Sequence, residues 1–481
     1  MPALGTSRIR VHTVRNPVHK DGVALEEAVR ITHRARTRVA AVAAVAGAAA
    51  LALSGCGSGG DDGGETPIAS AAPSHLTGTV SLWHFFSDRE AKVIQGVVDD
   101  FEKANPDVKV VVHPGQDDEK LRKAIAAGND VDVAVSYSTD IVGNFCQSGA
   151  FQDLAQYIQR DKVDLGQLLP TVRSYTEFDG TRCAMPVLAD AYGLYYNKTL
   201  LAKAGISTPP RTLDELEADA IKLTTYNADG SIKTLGFNPW MGYQEMAPAH
   251  LAPATGAQWL DENGKSLVGT DPGWKELIEW QKAFAAKIGT DKLKKFTAAS
   301  ADEFSAQNDF EIGRVAMNLD GEWRVAFMKD QAPKVDYGTA PFPTGSDHTD
   351  LYGGGYLTGN IGGIAKGSKN PELAWALLKY LTTDTAAVVK LANGLQNVPT
   401  ITSAYESPDL VRDPQFETFL KIAQDPHSLT TPPSPNGAGY QLAFGDWWQK
   451  YQSVPGTSDL DAELKKVDDQ INAAASLNSV P

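Results

Sequence analysis

The residues with the most evident chemistry lie in one short segment, Asp320-Gly321-Glu322-Trp323. Paired carboxylates roughly 5 to 9.5 Å apart hydrolyse glycosidic bonds. A flat indole ring beside carboxylates can instead bind a sugar, because the ring covers the apolar face of the sugar and the carboxylates accept hydrogen bonds from its hydroxyls. Asp320 and Glu322 are only two residues apart on one loop, and this separation is weak support for the spacing that hydrolysis needs. We therefore predict binding by Glu322 and Trp323, and the alternatives are a core tryptophan and a glycoside hydrolase.

The loop at residues 237–243 offers two further aromatic side chains, Trp240 and Tyr243. Its Pro and Gly residues are unsuited to the core of a helix but suited to the rim of a binding site. We predict that Trp240 and Tyr243 contact the ligand.

Sequence motifs for other chemistry are absent. The chain has no H-E-x-x-H, no G-x-S-x-G and no His/Cys spacing for a metal, and residues 362–368 (GGIAKGS) lack the lysine position of a phosphate-binding loop. We predict no catalytic residue, no metal and no cofactor.

Short apolar runs alternate with amphipathic helices from Gly78 onward, which predicts an α/β fold with a largely parallel sheet. Strands are expected at residues 79–83, 108–112 and 131–135, with a helix between each pair. In such a sheet, ligands bind at the carboxyl ends of the strands. His84 and Ser138 follow the first and third strands and are predicted to contact the ligand.

Capping residues predict where several helices begin. Ser87 and Glu90 have the spacing of a capping box, as do Thr212 and Glu215. A proline at the first helical position, Pro371, marks the start of another helix.

The N-terminus has the pattern of a targeting segment. Basic residues precede an apolar run at residues 39–53, which ends in Leu-Ser-Gly-Cys at Cys56. The run is about 15 residues long, and a membrane-spanning helix needs roughly 20. We predict a signal peptide at residues 1–55, a lipid on Cys56 and a flexible tether at residues 56–76. The alternative is an ordinary apolar segment that ends in these residues.

The charge of the chain limits its partners. The formal net charge is −15, and removal of the first 55 residues, with eight basic and three acidic side chains, would make it −20. Such a surface repels nucleic acid and anionic lipid.

Two cysteines remain besides Cys56. In an oxidising compartment Cys146 and Cys183 are expected to form a disulfide, and two free buried thiols are the alternative. The bridge would close a loop of about 37 residues and, on the chain-entropy model, stabilise the fold by roughly 4 kcal/mol.

The segment DGTRCAMPVLADAYGLYYNKTLL at residues 179–201 resembles the family-1 extracellular solute-binding proteins, a carbohydrate-binding, maltose-binding-protein-like group. Further similar segments follow the same order. They are FEKANPDVKV (101–110), FEIGRVAMNLDGEW (310–323), GGIAKGSKNPELAWALLKYL (362–381) and VPT (398–400).

This resemblance implies a type II periplasmic-binding-protein-like fold, with two α/β lobes joined by hinge strands around a ligand cleft. Lobe one is expected at 77–185 plus 360–410, and lobe two at 186–359 plus 411–481. The chain would cross between them near 184–189, 356–362 and Val411.

The resemblance also implies a site. Trp323 matches a position where a cleft tryptophan occurs, and Asp190 faces the cleft just after the first crossing, unless it is a solvated hinge residue. Tyr440 and Phe444 lie in a segment that resembles a cleft region of the family. Gly355 belongs to a glycine-rich stretch beside the second crossing and is also predicted at the site.

The function implied is that of a lipid-anchored protein on the outer face of the cell membrane. It would capture a carbohydrate, with the aromatic residues favouring an oligosaccharide, and deliver it to the membrane permease subunits of an ABC-type importer. The family resemblance implies a monomer. A sugar-sensing module with the same fold is a second alternative.

Overall fold

The computed structural model describes residues 68–454 and 459–478. The predicted signal peptide, Cys56 and residues 56–67 of the predicted tether lie outside the described residues.

The described residues form a mixed α/β structure. Its strands are β1 (Gly78–His84), β2 (Val108–His113), β3 (Val133–Ser136), β4 (Met185–Asn197), β5 (Thr225–Tyr226), β6 (Ile232–Phe237), β7 (Val315–Gly321), β8 (Tyr337–Ala340) and β9 (Leu357–Ile364). Its α-helices are α1 (Asp88–Ala104), α2 (Asp118–Ala126), α3 (Ile141–Gln147), α4 (Ala155–Asp161), α5 (Pro170–Ser174), α6 (Lys198–Lys203), α7 (Leu213–Leu223), α8 (Pro248–Leu251), α9 (Pro272–Ile288), α10 (Thr290–Ala298), α11 (Arg324–Gln331), α12 (Pro371–Thr383), α13 (Thr385–Leu395), α14 (Thr402–Tyr405), α15 (Phe416–Gln424), α16 (Gly439–Tyr451) and α17 (Leu460–Asn478). Short 3₁₀ turns occupy Leu165–Gln167, Ala252–Ala254 and Thr349–Leu351. In this part of the chain, no helix has the length and apolar character needed to cross a membrane.

The strands form one sheet in the order β2-β1-β3-β9-β4-β7-β6-β5, with β8 paired to β4. Strand β1 is parallel to β2 and β3, which confirms the predicted N-terminal βαβαβ unit. The expectation of a largely parallel sheet is wrong, because β9 returns antiparallel to β3 and β4. The pairings of β4 with β7 and β8 are antiparallel as well.

Strand β4 connects the two halves of the sheet. Its 13 residues are all buried except Tyr196, so both faces and both ends of the strand are covered. The first half pairs with β9, and the second half pairs with β7 and β8. A continuous buried strand of this kind resists independent motion of its ends, so movement between the halves must bend it.

Each half of the sheet has its own hydrophobic core. The first includes Val80 and Leu377, and the second includes Leu216 and Trp274. Helix α15, which follows the predicted crossing near Val411, packs against the first core. The two cores give two α/β lobes, and the predicted boundaries between them stay a prediction.

The predicted helix starts have different outcomes. Thr212 and Glu215 form the predicted capping box: the Glu215 amide donates to Thr212 Oγ1 at 3.2 Å, and the Thr212 amide donates to Glu215 Oε2 at 3.3 Å. Pro371 opens α12, also as predicted. The capping box at Ser87 is wrong, because the Ser87 side chain makes no capping hydrogen bond. The first residue of α1, Asp88, has a positive φ of 47°, which changes the entry of the chain into the helix.

The predicted disulfide is confirmed. Cys146 in α3 is bonded to Cys183, and their Cα atoms are 5.3 Å apart. The bond ties a helix of the first lobe to the residues that lead into β4.

Candidate functional site

A cavity of about 590 Å³ lies at the carboxyl ends of β1 and β3 and beside the middle of β4. Phe86 and Ser138 contribute from the first lobe, whereas Tyr192, His250 and Trp323 contribute from the side of the second core. Its volume is in the range of sites for small ligands. The cavity is therefore the candidate functional site.

Aromatic rings form much of the cavity wall. The ring of Tyr192 stacks on His250 at 4.0 Å between centroids and meets Trp323 edge-on at 5.4 Å. Trp323 lies against the backbone of Gly321, where a Cβ atom would come within 2.3 Å of the indole carbons, so only glycine fits. The buried Trp323 Nε1 has no hydrogen-bond partner in the described structure. Other rings at the cavity belong to Phe85, Phe86, Tyr137, Phe304, Phe327 and Tyr356.

Asp190 lines the cavity within a network that contains no cation. Asn397 donates one amide hydrogen to Asp190 Oδ1 at 2.6 Å and the other to Glu322 Oε1 at 2.7 Å. Glu322 Oε2 accepts from the Ala191 amide at 2.7 Å. Burial raises the pKa of Asp190 to about 6, and burial together with Asp190 raises that of Glu322 further. Because both pKa values are raised, the pair holds a proton more readily than two free carboxyl groups do.

Asp320 belongs to a different network. The fully buried Arg324 guanidinium contacts Asp320 at 2.8 Å, Glu311 at 2.9 Å and Glu303 at 3.4 Å. Asp320 and Glu322 therefore point to separate partners although they are two residues apart, and neither lines the cavity. The paired arrangement on which the hydrolase alternative depends has no support in this geometry.

Glu245 and His250 form another part of the wall. His250 Nδ1 lies 2.6 Å from the Glu245 carbonyl oxygen and 3.3 Å from Glu245 Oε2. Burial lowers the pKa of His250 to about 4, so the imidazole is neutral at pH 7. Burial and the neighbouring Glu303 raise the pKa of the Glu245 carboxyl. Among the described residues, no group of His, Cys, Asp and Glu could hold a metal ion.

A hydrogen bond from α16 to the turn before α3 also joins the two sides of the cavity. The Gln441 side chain in α16 donates to Asp140 Oδ1, just before α3, at 2.7 Å. Nearby, Gly143 in α3 packs so closely on Ser434 that a Cβ atom would lie 2.2 Å from the Ser434 carbonyl oxygen. The segment after α15 is therefore seated on the first lobe.

Three of the residues predicted from the sequence line the cavity: Trp323, Asp190 and Ser138. Ser138 Oγ accepts the amide of Asp140 at 3.0 Å, which fixes the turn before α3. The structure thus brings together the predicted tryptophan, the predicted carboxylate and a residue at the end of β3.

Four predicted aromatic residues lie outside the cavity lining. The Tyr243 hydroxyl donates to buried Asp309, and the Tyr440 hydroxyl donates to the Pro432 carbonyl. Phe444 is fully buried between Trp259 and Trp274. Trp240 is half-buried, and the nearest cation to its ring is Lys294. Their role in binding stays a prediction without support from the cavity.

The last three predicted residues also lie outside the lining. His84 is buried beside Phe86 with both ring nitrogens unpartnered, and burial lowers its pKa to about 4. Glu322 accepts from the same Asn397 amide as Asp190 and thereby helps to position Asp190. Gly355 lies against Ile422 and the backbone of β4, where a side chain would collide. These positions favour packing roles.

Sequence reasoning did not select several residues of the wall. Asn360 lies within β9, and Asn397 precedes the VPT segment. Glu245 precedes α8, and His250 lies within it. In the sequence, the one feature that could have identified these residues is a polar side chain within an otherwise apolar stretch. That signal is clearest for Asn360, which follows a glycine in a buried strand.

The sequence matches a family model described as bacterial extracellular solute-binding protein over residues 87–388. A maltotriose-binding protein of Pyrococcus abyssi is 28% identical over 408 residues, which cover 82% of each chain.

Two solved structures are similar along most of the chain. CpMnBP1 with mannotriose bound is 26% identical, with a TM-score of 0.71, and the match covers 82% of this chain and 99% of that one. The cyclic α-maltosyl-1,6-maltose binding protein of Arthrobacter globiformis is 21% identical, with a TM-score of 0.67, and the match covers 84% of this chain and 100% of that one. The second likeness concerns the fold alone.

Proposed function

Because this chain belongs to the bacterial extracellular solute-binding proteins, we propose that it captures an oligosaccharide in the cavity between its lobes and delivers it to an ABC-type importer. The family and the two-lobed type II binding-protein fold, both predicted from sequence motifs, are confirmed. The observation that carries the proposal is the position of the Trp323 ring beside the Asp190 carboxyl in one cavity with walls from both lobes.

The chemistry of the cavity suits a sugar. Aromatic faces pack on the C–H faces of a pyranose, and rigidly held carboxyl and amide groups select its hydroxyls. Asp190 is held by Asn397 and Glu322, so its carboxyl group is fixed in direction before a ligand arrives. Such preorganisation lowers the entropy lost on binding. The oligosaccharides bound by the similar proteins support the same substrate class.

Delivery would use closure of the lobes about β4 and β9. Lobe one at 77–185 plus 360–410 would move relative to lobe two at 186–359 plus 411–481. Glycines in β9 and the irregular pairing of β4 and β9 between Pro186 and Leu188 favour bending there. A monomer is sufficient for this motion.

The protein would act outside the cell membrane, anchored by a lipid on Cys56 and a tether at residues 56–76. Two observations support this anchor. The short apolar run ends in the lipid-attachment motif Leu-Ser-Gly-Cys at Cys56, and the chain belongs to an extracellular family. The membrane permease subunits that receive the sugar would belong to the ABC-type importer. A sensing role for the same fold remains the second candidate, and pull-down of either a permease or a receptor would separate the two.

Calorimetry with manno- and malto-oligosaccharides tests the binding proposal. Trp323→Ala should weaken binding by at least about 2 kcal/mol, roughly 30-fold, because the platform ring is lost. Trp240→Ala is the matched control and should change affinity less than about threefold. The sugar should be recovered intact. Cleaved products would favour a hydrolase, and equal losses in both variants would contradict the site.

Membrane fractionation tests the anchor. Cys56→Ser should release the protein into the medium and abolish lipid labelling, because the acylated thiol is removed. Ser58→Ala is the control and should stay in the membrane fraction. A Cys56→Ser protein that remains membrane-bound would exclude this anchor.

A further inference from the structure

In the described part of the chain, the cavity is lined by carboxyl groups with no cation among them. Four carboxyl groups line it, from Glu90, Asp140, Asp190 and Glu245, and among the described residues no Lys or Arg does. The imidazole in the wall, that of His250, is neutral because burial lowers its pKa to about 4. The ligand site is thus acidic on all sides.

The partners of these carboxyl groups are mostly neutral. Asp140 accepts from the Gln441 amide, and Asp190 accepts from the Asn397 amide. Only Glu90 has an exposed cation nearby, Arg89 at 3.8 Å. Asp320, which lies outside the cavity, shows the contrast because it is paired with buried Arg324 at 2.8 Å. An arginine thus neutralises the carboxylates outside the cavity, whereas none of the described arginines lines the cavity itself.

Two neutral amides add hydrogen-bond acceptors to the wall. Asn397 uses both amide hydrogens on carboxyl groups, so it can present only an oxygen to the cavity. Asn360 is 4% exposed, lines the cavity, and its Oδ1 has no partner. A buried acceptor without a partner is costly unless a ligand donates to it. A ligand that donates a hydrogen bond to Asn360 Oδ1 would remove this cost.

We propose that the ligand carries a cationic amino group, so that the substrate class is an amino-sugar oligosaccharide rather than a neutral one. This inference rests on the proposed function. An ammonium group supplies three donors and one positive charge where the cavity offers acceptors and carboxyl groups that a cation can ionise. The rings of Trp323 and Tyr137 can also hold a cation over their faces. Burial raises the pKa of Asp140 and Asp190, so a cation would ionise them and release protons.

Calorimetry on the whole protein compares sugars that differ in one group. The glucosamine trimer and cellotriose share a β-1,4-linked backbone and differ in the amino or hydroxyl group at C2, and maltotriose and mannotriose extend the neutral set. At mildly acidic pH, where the amines are protonated, the glucosamine trimer should bind at least about tenfold more tightly than any neutral trisaccharide. The preference should shrink in high salt. Titrations in two buffers of different ionisation enthalpy should show proton release for the amine alone.

A charge variant tests the cause of the preference. Glu90→Gln should reduce the affinity for the glucosamine trimer about threefold or more, and this loss should exceed any loss for cellotriose. Glu279→Gln, an exposed carboxylate of α9 outside the cavity, removes the same charge and should leave both unchanged. A second variant, Asp140→Asn, should give the same loss as Glu90→Gln.

The outcomes separate this inference from the proposed function. A neutral trisaccharide that binds as tightly as the amine overturns the inference and leaves the carbohydrate-binding function standing. Equal effects of Glu90→Gln and Glu279→Gln also overturn it. No binding of any sugar, charged or neutral, overturns both.

Discussion

Two groups of buried carboxyl side chains meet around one short segment, and they are neutralised in different ways. Asp320, Glu303 and Glu311 surround the Arg324 guanidinium. Asp190 and Glu322 instead have raised pKa values, so they take up a proton readily, and both accept from the amide of Asn397. An arginine side chain is always charged, so the carboxyl groups paired with it stay bound to it. A carboxyl group neutralised by a proton can lose that proton and accept a hydrogen bond from a ligand instead. The first group therefore stabilises the lobe, and the second is available to the cavity.

The largest expected effect is the loss of the guanidinium. Arg324→Met would leave three buried carboxyl groups without a cation, and we expect the free energy of unfolding to fall by about 3 to 5 kcal/mol. Urea denaturation measures this change. Arg122→Met, at an exposed ion pair, is the control and should cost less than about 1 kcal/mol. A change in Arg324→Met as small as in this control would remove the distinction between the two groups.

A smaller effect concerns pH and the cavity group. Burial raises the pKa of Asp190 from 3.8 to about 6, where it faces Glu322, Asn397 and the charge of Glu90. An acid with a raised pKa stabilises the fold below its ordinary pKa and loses that contribution as the pH rises to the folded value. Between pH 4 and 6, wild-type stability should fall by on the order of 1 kcal/mol relative to Asp190→Asn. Parallel stability curves for the two proteins would show that Asp190 is not the titrating group.

The smallest effect is expected at the edge of the guanidinium group. Glu303 makes the longest contact with Arg324, 3.4 Å, and burial raises its pKa to about 7. The Glu303 carboxyl is thus already partly neutral at pH 7, and Arg324 keeps its ion pair with Asp320 when Glu303 is replaced. Glu303→Gln should change the free energy of unfolding by less than about 1 kcal/mol at pH 7. A loss near that of Arg324→Met would mean that all three carboxylates are needed.

The fold could be predicted where the signal was local. Alternating apolar runs and helices specified the βαβαβ unit at residues 78–136, because each element and its neighbour are close in sequence. The antiparallel return of β9 could not be read in the same way, because its partners β3 and β4 lie more than 150 residues earlier. Register between such distant strands depends on the packed lobes rather than on any local pattern.

The site could be predicted only in part for a similar reason. Ser138 follows a strand whose carboxyl end lies at the cavity, so the strand order indicated it, whereas Trp323 and Asp190 were indicated by the family resemblance. In α16 the aromatic residues misled the prediction, since Tyr440 and Phe444 share the buried face while Gln441 lines the cavity.

Strand β9 lies between β3 and β4 in the sheet although it follows both in the chain. Translation must therefore reach about residue 364 before the first lobe can complete its sheet. Until then the edges of β3 and β4 are open, and the nascent chain cannot settle into a stable lobe. We expect the polypeptide to stay unfolded long enough for translocation and to fold as a unit afterwards, in the compartment where the bond between Cys146 and Cys183 can form.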